Sequence, residues 1–97
     1  MSVSVVVELK CKPESTQEMI ATLKIILPET RVYEGCESII ATIRQDDPNR
    51  IVLIESWDSR ESHEKYMAYR TETGTMEALG ALLAVEPAVS YSDRFDA

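Results

Sequence analysis

The hydrophobic period of this 97-residue chain switches between two and about 3.6, and the order of the switches leaves few folds open. In "VSVVVELKC", Val3, Val5, Val7, Leu9 and Cys11 share one face of a strand, and Ser4, Val6, Glu8 and Lys10 share the other. Pro13 stops the strand, and Ser15 followed by Glu18 has the spacing of a capping box. Met19, Ile20, Leu23, Ile26 and Leu27 then recur at helical spacing, until Pro28 closes the helix or kinks its last turn. Gly35 marks a turn that needs positive φ. Strands are expected over Cys36–Gln45 and Ile51–Trp57, joined as a hairpin by the polar loop "QDDPNR". Asp58 or Ser59 caps a second helix, about Arg60–Tyr69, which "TETG" breaks. A further helical piece over Thr75–Ala84 ends at Pro87, and Val89–Phe95 reads as a last strand. The order β-α-β-β-α-α-β predicts an α+β, ferredoxin-like split βαβ unit: one domain over residues 1–97, an antiparallel sheet with helices on one face.

Helices can cover only one face of such a sheet, so the other should be polar. It is not. Val6, Ile40, Val52 and Ile54 fall on the minority face, and a continuous exposed patch of branched apolar side chains is unusual on a monomer. The pattern predicts a homodimer packed sheet against sheet. With that contact holding the structure together, the space between sheet and helices can open into a small-molecule pocket.

Composition excludes several classes. Net charge is −7, and an acidic surface repels phosphate backbones, so nucleic acid is not an expected partner. No segment approaches the ~20 apolar residues that span a bilayer, and the start of the chain lacks the basic, apolar pattern of a signal peptide. Cys11 and Cys36 form no metal-binding spacing and read as reduced thiols of a cytoplasmic protein. There is no glycine-rich phosphate loop, no nucleophile elbow and only one histidine, so neither metal nor cofactor is expected.

The rarest side chains gather at one corner, "IESWDSRESHEKYMAYR". His63, Tyr66, Met67 and Arg70 fall at i, i+3, i+4 and i+7, one side of a helix that follows Trp57. Such a stripe can be plain core, or it can line a pocket. His63, with an unperturbed pKa near 6.5, is the candidate base; beside Glu61 and Glu64 it could equally be a solvated helix residue. Tyr66 is the candidate orienting donor. Trp57 is the candidate aromatic wall, with Met67, Arg70 and Tyr33 as further substrate contacts. Glu55, on the strand face of Trp57, either enters the pocket or pairs with Arg44 at the sheet edge; the pair is the expectation.

"VSVVVELKCKPES", "ETRVYEGCESI" and "IVLIESWDSRESHEKYM" resemble, in order and spacing, the signatures of antibiotic biosynthesis monooxygenase (ABM) domains of the dimeric α+β barrel group. The resemblance covers about Val3–Val89, and the strand ending in E-x-W is its most specific part. It implies a sheet-packed homodimer, a pocket between sheet and helices, and a choice of activities. These are cofactor-free oxygenation of anthrones and quinols, haem degradation, or isomerisation of a small metabolite. Three positions depart from the family pattern. The histidine falls at His63, one turn before the place of Tyr66 where many members carry it; Leu53 replaces the asparagine of anthrone-oxidising members; and Val5–Glu8 lacks the asparagine of haem-degrading ones. These departures argue against haem degradation and weaken anthrone-type oxidation. The resulting expectation is cofactor-independent monooxygenation of a small aromatic phenol or quinol. The alternatives are a proton-transfer enzyme such as an isomerase, or a binding dimer without turnover.

Overall fold

Alternating side chains build the sheet. The computed structural model describes residues 2–97. Strands β1 (Val3–Lys10), β2 (Cys36–Ile43), β3 (Arg50–Trp57) and β4 (Ala88–Asp93) form one antiparallel sheet in the order β2-β3-β1-β4. Helices α1 (Thr16–Arg31), α2 (Arg60–Glu72) and α3 (Thr75–Gly80) complete a ferredoxin-like α+β fold. β3 lies between β1 and β2, which is the split βαβ crossover read from the sequence.

The helix-side face carries the core. Val3, Val5, Val7 and Leu9 of β1 are all buried and pack with Met19, Leu23 and Leu27 of α1 and with Leu53 and Trp57 of β3. Each such aliphatic side chain contributes roughly 1.5–3 kcal/mol of burial. The register sets Ile40 opposite Ile54 and Ile54 opposite Val6, so three branched side chains run side by side across the other face. No element of the protomer covers them: Ile40 is 59% and Ile54 46% exposed.

Several boundaries differ from the sequence reading. Ser15 makes no side-chain cap. A short 3-10 turn over Pro13–Ser15 leads into α1 instead, and Thr16 Oγ1 bonds Lys12 O (3.3 Å) and Asn49 Oδ1 (2.8 Å). Helix α1 runs past Pro28 to Arg31. Its last turn is held by Thr30, buried against the core, whose hydroxyl donates to Ile26 O at 3.0 Å. Of the two candidate caps for α2, Ser59 is the one used, its Oγ accepting from Ser62 N at 3.1 Å. Helix α2 extends to Glu72, and Gly74 at φ 83° turns the chain into α3. Helix α3 stops at Gly80, short of the expected Ala84. Strand β4 ends at Asp93, leaving Phe95 exposed beyond it.

Gly35 fixes the corner where the candidate site begins. Its φ is +93° and its carbonyl accepts from Asp58 N at 2.8 Å. A Cβ there would meet Ser62 Cβ at 2.5 Å and Asp58 Oδ1 at 2.9 Å. Gly35→Ala is therefore expected to cost about 1–3 kcal/mol, from strained backbone plus displacement of the start of α2. Urea unfolding measures it, and a change below the error of the midpoint would refute it.

Candidate functional site

The end of β3 and the start of α2 build the site. Parity sends Leu53, Glu55 and Trp57 to the helix side of β3. Ser59 then sets the phase of α2, so that His63, Tyr66 and Arg70 turn inward, and all three are buried. With Met67 they line a cavity of about 60 Å³ under the helices. Apolar side chains of β1, α1 and α3, among them Val7, Leu23, Met76 and Leu79, form most of the remaining wall.

Glu55 is the unexpected member. The expected ion pair with Arg44 does not exist: Arg44 binds Asp46 at 2.9 Å. The register explains why, since Arg44 N bonds Arg50 O, several residues down β3, whereas Glu55 lies opposite Ile39 and Val5. Glu55 is 6% exposed, and its Oε1 accepts from Trp57 Nε1 at 2.8 Å. The same oxygen lies 3.7 Å from His63 Nε2. His63 is 1% exposed, and its Nδ1 is 2.7 Å from Tyr91 Oη on β4. His63 is thus no solvated helix residue.

Burial pushes the Glu55 carboxyl above the usual carboxylate range, against the opposing pull of the Trp57 N–H. Burial also lowers the His63 imidazole, with Glu64 pulling the other way. The two shifts converge. The acid holds its proton more tightly than usual and the base less tightly, which narrows the gap between their proton affinities.

Farther along the same inward side of α2, Tyr66 Oη shares a short hydrogen bond with Thr30 Oγ1. It also accepts from Arg70 Nε at 2.8 Å. Arg70 Nη2 donates to Glu29 Oε1 at 3.1 Å and Ile26 O at 3.3 Å. The site therefore gathers an acid–base pair, a phenol and a guanidinium around one cavity whose remaining wall is mostly apolar.

Two expected contacts take other places. Trp57 is fully buried behind Glu55 and does not face the cavity. It packs edge-on to His63 (5.2 Å between centroids) and tilted on Tyr66 (5.3 Å), orienting both. Tyr33 lies outside, edge-on to Tyr66 and stacked on Tyr69, in a polar surface groove with Glu34, Glu61 and Lys65. A larger groove of about 530 Å³ runs between α1 and β2, but its polar lining is Lys24, Arg31 and Thr42. It offers no acid, base or nucleophile tuned by burial, which leaves the smaller cavity as the candidate site.

Among the described residues no cluster of His, Cys, Asp and Glu could hold a metal, and no helix is long and apolar enough to cross a membrane. The family model described as antibiotic biosynthesis monooxygenase matches residues 2–73, which includes Glu55, His63, Tyr66 and Arg70. A conserved protein from Methanosarcina mazei Go1 superposes with a TM-score of 0.88 at 21% identity, covering 98% of this chain and 94% of that one. Rv0793 from Mycobacterium tuberculosis gives 0.86 at 23% identity over 100% and 98%. A crystal structure described as an antibiotic biosynthesis monooxygenase gives 0.86 at 21% over 97% and 99%. At these identities the likeness carries the fold and not the chemistry. No curated protein matches in sequence.

Proposed function

This chain belongs to the antibiotic biosynthesis monooxygenase family, and from that premise we propose that it is a cofactor-independent monooxygenase of a small phenol or quinol. The observation that carries the reading is the buried Glu55–His63 pair at 3.7 Å, facing an apolar cavity that Tyr66 and Arg70 also line. The pair takes the substrate's hydroxyl proton. Tyr66 and Arg70 hold the resulting oxyanion, whose charge is worth more to these donors in a water-poor site. The anion delivers an electron to O₂, and recombination forms a carbon–peroxide bond. Loss of water then leaves a carbonyl, so one oxygen atom enters the product and the other leaves as water, with the substrate as the only reductant. His63 and Tyr66 are the catalytic residues of this scheme, joined by Glu55. Met67 and Arg70 contact substrate, while Trp57 and Tyr33 position their neighbours.

The cavity favours small substrates. A dry cavity of about 150 Å³ admits benzene, so a ring enters here only as the flexible side chains of Met67 and Met76 move aside. The acting unit is the whole chain as one domain, paired with a second copy through the uncovered sheet face. Its two free thiols favour the cytoplasm.

Oxygen consumption with a panel of one- and two-ring hydroquinones tests the reading. Uptake by the wild type, reduced about 100-fold in His63→Ala, supports it. A second reading, an isomerase, draws on the same pair, because proton transfer between carboxyl and imidazole needs no O₂. Deuterium exchange into a bound phenol without oxygen uptake would favour the isomerase. Binding with neither would mark a carrier.

A further inference from the structure

A buried acid–base pair needs a path by which its protons exchange with water, outward when the substrate ionises and back when the peroxide is protonated. Glu55 and His63 are almost closed to solvent, and apolar side chains surround the cavity they face. One polar contact leads outward. His63 Nδ1 meets Tyr91 Oη at 2.7 Å, and Tyr91 is a half-buried residue of β4, the edge strand beside β1. We propose that Tyr91 is the outer end of a proton relay, Glu55–His63–Tyr91, that connects the buried carboxylate to water at the β4 edge of the sheet.

The proposal rests on the reading of Glu55 and His63 as the site's acid–base pair. Once Glu55 has taken a proton, its O–H bond breaks as His63 Nε2–H forms. The Nδ1–H bond breaks as that proton joins Tyr91 Oη, and the phenol's original proton passes to water. No charge is left behind on His63 or Tyr91, and the imidazole returns to its first tautomer when a proton comes back along the same path to protonate the peroxide. The 3.7 Å gap between Glu55 and Nε2 closes with a small side-chain movement, as is common between the resting and working states of acid–base pairs.

The surroundings fit a conduit held in place. The Arg60 guanidinium lies 4.2 Å above the centre of the Tyr91 ring and is itself tied to Glu64 at 3.2 Å. The Tyr91 and His63 rings meet edge to face at 5.4 Å. The charged or titratable groups around the imidazole are thus Glu55 on β3, Arg60 and Glu64 on α2, and Tyr91 on β4. Phenylalanine at 91 would fill the same volume, so the hydroxyl is what needs a reason. It satisfies a buried ring nitrogen, and the relay adds a direction of transfer to that role.

The chain has one histidine, so nitrogen-15 labelling of histidine reports on His63 alone. In wild-type protein the ring N–H is expected to exchange with water faster than in Tyr91→Phe, by about tenfold or more, and the substitution is expected to bias the ring toward one tautomer. Equal exchange rates and tautomers would overturn the relay, and so would faster exchange in the variant, which would make Tyr91 a plug. Uniform replacement of tyrosine by 3-fluorotyrosine is a milder second arm. It acidifies the phenol without removing it and should move the pH dependence of exchange to lower pH; an unmoved profile counts against the proposal. These measurements need no turnover, so an absence of oxygen uptake would sink the oxygenase and leave the relay standing or falling on its own data.

Discussion

Glu55→Gln is expected to abolish turnover and to make the protein more stable above neutral pH. With any quinol that supports oxygen uptake in the wild type, kcat should fall by about 10²–10⁴, the range for loss of a positioned base. The stability effect follows from burial. A carboxyl whose folded pKa is raised favours the native state fully below the ordinary carboxylate range, and that contribution is lost as pH rises through the raised value. Glutamine keeps an oxygen to accept from Trp57 Nε1 but cannot ionise. Wild type and variant should therefore melt alike in mild acid and separate as pH rises, with the variant ahead at pH 8. The depressed imidazole of His63 lowers stability as pH drops below its ordinary range, so the comparison is read above neutral pH, where the ring is uncharged in both proteins. A carboxylate kept for structure would give a different pair of results: Glu55→Gln would lose stability or leave it unchanged, and activity would survive. Melting curves that stay superposed up to pH 8 would remove the argument for a strained, functional acid.

Strand parity made most of the fold legible before any coordinates. Val3, Val5, Val7 and Leu9 face the helices, and the three- and four-residue steps of α2 put His63, Tyr66 and Arg70 on one inward side. The cavity follows from those two periods. Parity also held the answer for Glu55, which shares a face with Leu53 and Trp57. The preference for Arg44 came from opposite charge on neighbouring strands, and charge alone does not tell which residues stand opposite each other. The register does: Ile39 faces Glu55, and Arg44 lies beyond the last paired residue, Ile43. Tyr91 could not be found this way. Its contact with His63 joins an edge strand to a helix 28 residues away, and no local period encodes that distance. The place of Tyr33 is hidden for a related reason: a loop tyrosine is positioned by the rings it packs against, here Tyr66 and Tyr69, and not by its own segment.

Ile54→Asp is expected to separate the proposed dimer while leaving the protomer folded. Ile54 is the middle of the row Ile40–Ile54–Val6 on the uncovered face. In a single protomer its side chain is already 46% exposed, so aspartate there is solvated and the cost to folding is small. In a twofold interface the substitution occurs twice. Each copy loses roughly 1.5–3 kcal/mol of apolar burial and strands a carboxylate in a dry contact, where it has no partner. A total above about 4 kcal/mol weakens association by roughly 10³-fold or more. Sedimentation should show wild type at twice the 10.9 kDa chain mass and the variant at the chain mass, with unchanged far-ultraviolet circular dichroism. A wild type that sediments as a monomer would contradict the pairing outright. The consequence for the site is separable, because the Glu55, His63 and Tyr91 contacts are all made within one protomer. The Glu55–His63–Tyr91 contacts should survive dissociation, and the His63 ring exchange should be the same in Ile54→Asp as in wild type. If it changes, the second copy does more than cover an apolar sheet, and the stiffness of β3 behind Glu55 is the first place to look.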